Sequence, residues 1–283
     1  SIITNLDIEH LDYYKTKQNL MDSFENFINM LPFYGTSIIC LDNKNLKLLV
    51  KKIKTRNIIT YSIRNKNADV FIYDIKRYEN KTSFKLNIKK NKIKNLNKFN
   101  FTIKAIGDHN TLNAAASIIA SKLVGVKNTS INNSLKKYIG VKRRFTLLGK
   151  KNKSYVYDDY AHHPTEILAT LNAAKNLNKK IVVVFQPHRF SRTKILMNDF
   201  VKVLSKINYL IILDTYSAGE KEVKGATSKD IYKKLLKINE KIIYLRNLNF
   251  LNKNLIKHTK EDKVIIFMGA GSITNIARDF FIK

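Results

Sequence analysis

The second half of the chain alternates short apolar runs with amphipathic stretches. The apolar runs are rich in Val, Ile and Leu, and each is short enough for one buried strand. Strands that are apolar on both faces and separated by helices are typical of a parallel sheet that is covered on both sides. The predicted strands span 155–157, 181–185, 209–213, 242–245 and 264–268, and the predicted helices span 165–176, 194–205, 228–237, 251–258 and 272–281.

The first half has a mixed pattern. Residues 1–5 are interpreted as the end of a strand that leads into a polar loop. A helical pattern over residues 16–30 ends at Pro32 and Gly35, two residue types that interrupt helices. Short alternating runs between residues 70 and 103 predict a small antiparallel set. The other predicted elements are strands 36–41 and 58–63 and helices 45–53, 111–124 and 131–139.

The change of pattern near residues 140–146 predicts a boundary between two domains, 1–142 and 143–283. A length of 283 residues agrees with two domains of ordinary size. The predicted fold class is therefore α/β, and the second domain is expected to be Rossmann-like, with a doubly wound and mostly parallel sheet.

The composition is that of a globular chain with a sizeable core, because 44% of the residues are hydrophobic. Cys40 is the single cysteine, so no disulfide can form within the chain, which fits a reducing cytoplasm. No apolar run approaches the roughly 20 residues that span a bilayer. The first residues also lack the pattern of a signal peptide. We expect a soluble, cytoplasmic protein with no membrane partner.

The formal net charge of +30 raises the hypothesis of a nucleic-acid-binding module. The lysines are scattered along the whole chain, however, and do not form one block. Most Tyr and Phe residues lie in apolar runs, where they are expected to belong to the core. We interpret the charge as a compositional bias that also suits anionic nucleotide substrates, and we expect no nucleic-acid partner.

Polar clusters follow four of the predicted parallel strands. Because ligands collect at the carboxyl ends of such strands, four clusters at one edge favour a binding site. Each cluster alone has a plainer interpretation, since aspartate and proline often start helices and glycine pairs often serve turns. The clusters are Asp158-Asp159-Tyr160-Ala161-His162-His163, Gln186-Pro187-His188-Arg189 with Arg192, Asp214 with Tyr216 and Gly219-Glu220, and Gly269-Ala270-Gly271-Ser272.

The chemistry of these clusters suits anions. Arg189 and Arg192 are three residues apart at a predicted helix start, so they are expected to share a face and to clamp a carboxylate or phosphate. Three histidines, His162, His163 and His188, add neutral or charged donors.

Three further clusters lie in or next to the first half, and each has two interpretations. Asn110 and Asn113, one helical turn apart, suit an adenine edge, but from the residues alone a helix cap with a packed Ala-rich face is favoured. Arg144 suits the charge that develops in phosphoryl transfer, or belongs to a solvated basic run. Residues 4–12 contain carboxylates and His10, which suit a divalent cation or simple turns.

These segments, read in order, resemble the Mur ligase family over nearly the whole chain. The runs that carry the resemblance are TNLDIEHLDYY, LPFYG, GDHNTLNAAA, VKRRF, DDYAHHPTEI, VFQPHRFSRT and YSAGE. Within the family, they resemble most the members that join L-alanine to UDP-N-acetylmuramate. The related ligase that attaches a recycled tripeptide shares the DDYAHHP-like run but is not expected to carry LPFYG and QPHRFSRT.

The resemblance implies an incomplete central ATPase-type α/β domain followed by a Rossmann-like domain, with ATP and Mg²⁺ as cofactors. The muramoyl carboxylate would attack the γ-phosphate of ATP, and the amine of L-alanine would attack the resulting acyl phosphate. The resemblance implies that His10 binds magnesium, and that Asn110 and Asn113 contact adenine with His109 beside them. It also implies that Arg144 contacts the ATP phosphates and that Asp159 lies near the ribose. The residues implied to line the amino-acid and muramoyl-carboxylate site are Tyr160, His162, His188, Arg189 and Arg192.

The sequence also departs from the family pattern. It contains no Gly-x-x-x-x-Gly-Lys-Ser/Thr loop, and Asp7 replaces the glutamate expected in the TNLDIEH run. We expect the 283 residues to be a fragment of a complete ligase, without competent ATP chemistry of their own. The alternative is a shortened, non-catalytic descendant that binds nucleotide. The sequence makes no prediction of oligomeric state.

Overall fold

The computed structural model describes residues 1–8, 11–53, 57–78, 80–89, 93, 99–238 and 242–282. The chain divides into two compact units, Ser1–Ile139 and Gly140–Lys283. Within the described residues, each unit contains one six-stranded sheet. The predicted α/β fold class is confirmed, whereas the assignment of the two family domains to residues 1–142 and 143–283 stays a prediction.

The sheet of the first unit runs in chain order. Strands β1 to β4 are parallel, and β5 and β6 extend the same sheet in antiparallel pairing. The predicted antiparallel set is therefore present, as a continuation of the parallel sheet. The strands are β1 Ile2–Ile3, β2 Thr36–Cys40, β3 Asn57–Ser62, β4 Val70–Arg77, β5 Thr82–Ile88 and β6 Asn100–Ile103.

The helices of the first unit cover this sheet and bury a single apolar core. The Ala-rich face of α4 packs inward, with Ala114, Ala115 and Ala116 all buried. This helix begins three residues earlier than predicted, because Gly107 takes the N-cap position with φ 96°. The helices are α1 Leu11–Tyr14, α2 Lys17–Asn29, α3 Lys44–Lys52, α4 Asp108–Leu123 and α5 Asn128–Lys137.

The sheet of the second unit has the order β11-β10-β9-β12-β8-β7. Strands β8 to β12 are parallel, as predicted, and β7 is an antiparallel edge strand that the sequence pattern did not predict. The β7 sequence, TLLGKK, contains glycine and lysine, which are uncommon in strands. The strands are β7 Thr146–Lys151, β8 Ser154–Asp159, β9 Lys180–Phe185, β10 Tyr209–Leu213, β11 Ile242–Leu245 and β12 Lys263–Met268.

Helices cover both faces of this second sheet, so the doubly wound arrangement is confirmed. Along β9, Val182 and Val184 face one apolar core, and Ile181 and Val183 face the other. Helices α6, α8 and α9 pack on the second face, and α10 and α11 on the first. The helices are α6 Pro164–Lys175, α7 Phe190–Ile195, α8 Met197–Leu204, α9 Ser228–Leu236, α10 Leu251–Thr259 and α11 Ile273–Ile282.

One predicted helix is wrong in detail. The pattern over residues 194–205 predicted a single helix, but the chain forms two, α7 and α8, with a break at Leu196 where φ is −104° and ψ is 16°. The first of them begins at Phe190, directly after the polar segment that follows β9. No helix in the described part of the chain is long and apolar enough to cross a membrane.

The strand order places a crevice at the centre of the second sheet. Strand β12 lies between β8 and β9, and the helix that follows it, α11, packs on one face of the sheet, whereas α6 and α8, which follow β8 and β9, pack on the other face. In open α/β sheets, ligands bind outside the carboxyl ends of the strands at such a reversal of strand order.

Candidate functional site

The polar clusters predicted from the sequence do lie at one edge of the second sheet. They follow the carboxyl ends of β8, β9, β10 and β12. Backbone hydrogen bonds join the loops to one another: the amide of Gln186 donates to the carbonyl of Met268, and the amide of Gly269 donates to the carbonyl of Asp159. We call this cluster of loops, residues 158–163, 186–192, 214–220 and 269–272, the carboxyl edge.

Two buried aspartates end strand β8 and hold the carboxyl edge together. The carboxylate of Asp159 accepts hydrogen bonds from the amides of Phe145 (3.0 Å) and Ala161 (2.7 Å) and from the hydroxyl of Thr170 (2.8 Å). Burial raises the pKa of Asp159 to about 6, although these bonds oppose the shift. Asp159 therefore stabilises the loop, and its ribose contact stays a prediction.

His163 caps helix α6. Its Nδ1 accepts from the amide of Thr165 at 3.3 Å, while the carboxylate of Glu166 accepts from the amide of His163 at 3.3 Å. Pro164 follows at the first helical position, where no backbone N–H is needed. The side chain of His163 is buried, so this histidine is a structural residue of the site.

Glu166 also connects an arginine to His162. Its carboxylate accepts from Arg144 Nη1 at 3.0 Å and from the amide of His162 at 3.1 Å. Burial acts to raise the pKa of Glu166, but His162 and Arg144 outweigh it and hold the pKa below its ordinary value. The predicted phosphate-binding arginine and the predicted substrate-site histidine therefore share one acidic partner.

The aromatic ring of Tyr160 lies against two arginines. The guanidinium carbons of Arg143 and Arg144 are 4.6 and 5.5 Å from the ring centre. Arg143 also donates from Nη2 to the carbonyl of Gly269 at 2.8 Å, so it ties the β8 and β12 loops together. Sequence reasoning singled out Arg144 and missed Arg143, because nothing in the run VKRRF separates the two.

His162 and His188 face each other with ring centres 5.8 Å apart. His162 Nδ1 lies 2.9 Å from the carbonyl oxygen of Tyr160, which only accepts, so Nδ1 carries the proton and Nε2 is the acceptor nitrogen of the neutral ring. His188 Nδ1 lies 3.1 Å from Arg192 Nη1, which only donates, so the neutral ring carries its proton on Nε2. In their neutral forms, the two imidazoles are opposite tautomers.

Burial and neighbouring cations keep His188 neutral. Burial, then Arg192, His162 and Arg189 in that order, lower the pKa of His188 to about 4, against a weak opposite effect of Glu220. Arg189 does not share a helical face with Arg192 as predicted. It is the N-cap residue of α7, with φ 69°, a conformation outside the helix.

The glycines of the β12 loop allow close approach of other chain segments. A Cβ on Gly269 would lie 2.6 Å from the carbonyl oxygen of Gln186, and a Cβ on Gly271 would lie 2.5 Å from Cγ of Tyr216. The Gln186 side chain accepts from the amide of Ile273 at 3.1 Å and donates to Ser272 Oγ at 3.2 Å. The glycine pair therefore serves the packing of the carboxyl edge.

The candidate nucleotide residues of the first unit lie at the start of α4. The side-chain amide of Asn110 donates to the carbonyl of Ile106 at 2.8 Å, and His109 is half-buried. Asn113, one turn further on, is exposed. Neither asparagine is the N-cap, which is Gly107, so the expected asparagine cap is wrong.

The predicted metal ligand His10 lies outside the described residues, and its role stays a prediction. Asp7, in the same run, accepts from the side-chain amides of Asn43 (3.1 Å) and Asn5 (3.2 Å). In the part of the chain that the structure describes, no group of three or more His, Cys, Asp or Glu residues could hold a metal ion.

The carboxyl edge joins arginines, imidazoles and aromatic rings at the strand reversal of a doubly wound sheet. Such an arrangement is typical of α/β proteins that bind small anionic ligands at their strand ends. Two family models match the chain: the Mur ligase middle domain over residues 1–121 and the Mur ligase glutamate ligase domain over residues 143–271. The chain belongs to the Mur ligase family.

Several relatives of the chain are named UDP-N-acetylmuramate–L-alanine ligase. It is 37% identical to the UDP-N-acetylmuramate–L-alanine ligase of Rickettsia felis, over 99% of the chain and 60% of that relative. The crystal structure of UDP-N-acetylmuramate-alanine ligase from Thermotoga maritima matches with a TM-score of 0.75 and 25% identity, over 99% of the chain and 58% of that structure. The MurF ligase of Thermotoga maritima, solved in complex with ADP, matches in fold at 17% identity, with a TM-score of 0.74 over 99% of the chain and 60% of that structure.

Proposed function

We propose that the chain is the middle and C-terminal part of an ATP-dependent ligase that joins L-alanine to UDP-N-acetylmuramate. The observation that carries this proposal is the 37% identity to ligases of that name across 99% of the chain. The chain spans about 60% of the length of the relative from Rickettsia felis, so the activity is proposed for the complete gene product.

The carboxyl edge supports an acyl-transfer reaction between anionic groups. Arg192 would bind a carboxylate with its positive charge, and His188 would donate a hydrogen bond from Nε2 to the same carboxylate. Because His188 is neutral, it would add no second positive charge. His162, with Nε2 as acceptor, would take the proton that the attacking amine loses as the amide forms. Arg189 would add charge to the same anionic site, and Tyr160 would line it.

The reaction proposed for the complete protein has two steps. The muramoyl carboxylate oxygen attacks the γ-phosphorus of ATP. The bond between this phosphorus and the bridging oxygen breaks, and ADP leaves with the electron pair. The amine nitrogen of L-alanine then attacks the acyl carbon, and phosphate leaves. Arg144 would stabilise the charge on the transferred phosphoryl group, and its contact with Glu166 holds it on the same network as His162.

The nucleotide would contact the start of α4. The exposed Asn113 would meet the adenine, with Asn110 and His109 beside it, and ADP in the solved MurF ligase supports nucleotide use in this fold. Asp159 would act indirectly, because its hydrogen bonds hold the loop after β8 in place. Magnesium is proposed on the family resemblance of His10, and because His10 is not described, no step is assigned to the metal.

The test is product identification with the complete gene product. With ATP, magnesium, UDP-N-acetylmuramate and L-alanine, mass spectrometry should show the nucleotide sugar with one alanine added, together with ADP and phosphate. Product formation from a preformed tripeptide and free muramoyl sugar, without L-alanine, would instead identify the recycling ligase. ATP binding with no product from either set would identify a non-catalytic nucleotide-binding protein.

A further inference from the structure

Backbone hydrogen bonds join the loop after β10 to residues 186–192, which follow β9 and are called the basic segment. The amide of Tyr216 donates to the carbonyl of Pro187 at 2.8 Å, and the amide of Arg189 donates to the carbonyl of Tyr216 at 2.9 Å. His188 and Tyr216 pair as an isolated parallel bridge beyond the ends of the strands. The two segments are therefore joined directly through their backbones. We call residues 214–220 the fastening loop.

The ring of Tyr216 stacks on the imidazole of His188. The ring centres are 5.5 Å apart and the planes differ by 12°. On the side of Gly271 the tyrosine ring has no spare room, since a Cβ there would lie 2.5 Å from Tyr216 Cγ. The ring is thus held between a glycine and a histidine, although 41% of the residue stays exposed. Such packing restricts rotation of the imidazole and shields part of one of its faces.

Glu220 fixes the start of the helix that carries Arg192. Its carboxylate accepts from the amide of Ser191 at 3.0 Å and from the hydroxyl of Ser191 at 2.6 Å. Arg192 follows in the same first turn of α7 and reaches back to His188 Nδ1. One end of the fastening loop therefore sets the imidazole plane, and the other end sets the guanidinium that selects its tautomer.

We propose that Tyr216 and Glu220 are positioning residues for the ligase reaction: Tyr216 holds His188 as a neutral Nε2–H donor, and Glu220 orients Arg192 toward it. The inference rests on the proposed function, because the anion that His188 and Arg192 hold is assigned there. Neither Tyr216 nor Glu220 is proposed to contact the substrate. Both act through residues of the basic segment, His188 and Arg192.

The role of Tyr216 is tested by nuclear magnetic resonance of the complete gene product, labelled at histidine Cε1 and at the ring nitrogens. The His188 signal is assigned by its loss in His188→Gln. The wild-type ring should show the Nε2–H tautomer and a titration midpoint of about 4, against the ordinary 6.5. The charged or titratable groups that face this ring are Arg192, Arg189, His162 and Glu220.

Tyr216→Leu and Tyr216→Gln remove the ring and admit water, so the midpoint should rise by roughly one pH unit. Tyr216→Phe keeps the stack and should keep the midpoint. An unchanged midpoint in a folded Leu or Gln variant would overturn the role of Tyr216. Loss of folding in both would also overturn it, because Tyr216 would then be a structural residue.

The role of Glu220 is tested by kinetics, with Glu222→Gln as the matched control, since Glu222 is an exposed carboxylate of the following segment. Glu220→Gln should raise the KM for L-alanine about tenfold, with a smaller change in kcat and an unchanged unfolding midpoint. Equal kinetics for the two variants would overturn the role of Glu220. A wild-type protein with no L-alanine-dependent activity would refute the proposed function alone, because the resonance experiment does not depend on turnover.

Discussion

Two histidines of the second unit have almost the same surroundings at opposite ends of the sheet. His188, after β9, has a tyrosine ring at 5.5 Å and Arg192 Nη1 at 3.1 Å from Nδ1. His258, at the end of α10, has the ring of Tyr209 at 4.1 Å and Lys263 Nζ at 3.1 Å from Nδ1. Burial and neighbouring cations lower the pKa of each to about 4.

The difference between them is access. His258 is 8% exposed and lies at the edge where the parallel strands begin, beside the buried Lys263. His188 is half-buried and lies where the strands end, among loops that also carry Arg189 and the facing imidazole of His162. A perturbed histidine beside a cation is thus not in itself a sign of chemistry. Its position at the carboxyl edge is what makes His188 a candidate.

The largest effect is expected from Arg192→Ala. This change removes the donor that fixes the tautomer of His188, together with one charge at the proposed anion site. The L-alanine-dependent kcat/KM of the complete gene product should fall by about 10²- to 10³-fold. Lys263→Met removes the corresponding cation beside His258 and should leave kcat/KM unchanged, whatever it does to stability. Equal losses of activity in the two variants would contradict the claim that His188, and not His258, lies at the reaction site.

Gly271→Ala should destabilise the second unit, because the new Cβ would meet Tyr216 Cγ at 2.5 Å and Gln186 Oε1 at 2.8 Å. The expected cost is about 1–3 kcal/mol, measured from urea unfolding followed by circular dichroism. Gly271 has no left-handed φ, so its clash acts without backbone strain; Gly125→Ala is the converse comparison, since its φ is +82° and nothing lies within 4 Å of its Cβ. A Gly271→Ala protein as stable as wild type would show that the carboxyl edge is not packed as described.

Thr170→Val should cost about 1–2 kcal/mol of unfolding free energy. The change keeps the shape of the buried side chain but removes the hydroxyl that donates to Asp159 Oδ2 at 2.8 Å. Thr165→Val, at an exposed position of the same helix, is the matched control. The two variants should differ in their urea midpoints, and equal midpoints would mean that the Asp159 network adds nothing to stability.

The smallest effect concerns pH. The pKa of His258 is about 4 in the folded chain and 6.5 ordinarily, so the unfolded chain binds more protons between these values. His258 therefore contributes stability above about pH 6.5 that is lost as the pH falls toward 4, with Lys263, Lys257 and Glu261 as its charged neighbours. His258→Gln should make thermal stability fall less steeply over this range. A steeper fall in the variant would contradict the expectation that protonation of His258 destabilises the folded chain.

Most of the fold followed from the sequence, because apolar strands and amphipathic helices differ in period. The exceptions have local causes. Strand β7 carries Gly149 and two lysines, and the break at Leu196 leaves the helical period of residues 190–204 almost intact. Neither exception changes the sheet order that positions the carboxyl edge.

The sequence predicted which loops form the site, but it did not predict how their side chains are arranged. The sequence brought His162, His188 and Arg192 to one edge, since carboxyl ends of parallel strands meet there. It did not show that Asp159 and His163 face inward, that Arg143 packs on Tyr160, or that Arg189 leaves the helical face. Those facts depend on side-chain contacts between residues far apart in the chain, which hydrophobic period does not encode.

The most direct test of the account is the rate of ADP formation by the complete gene product with each substrate omitted in turn. Full activity is expected only when ATP, UDP-N-acetylmuramate and L-alanine are all present, and that activity should be lost in Arg192→Ala. ADP formation that ignores L-alanine, or an Arg192→Ala enzyme as active as wild type, would contradict the assignment of the carboxyl edge as the site of the reaction.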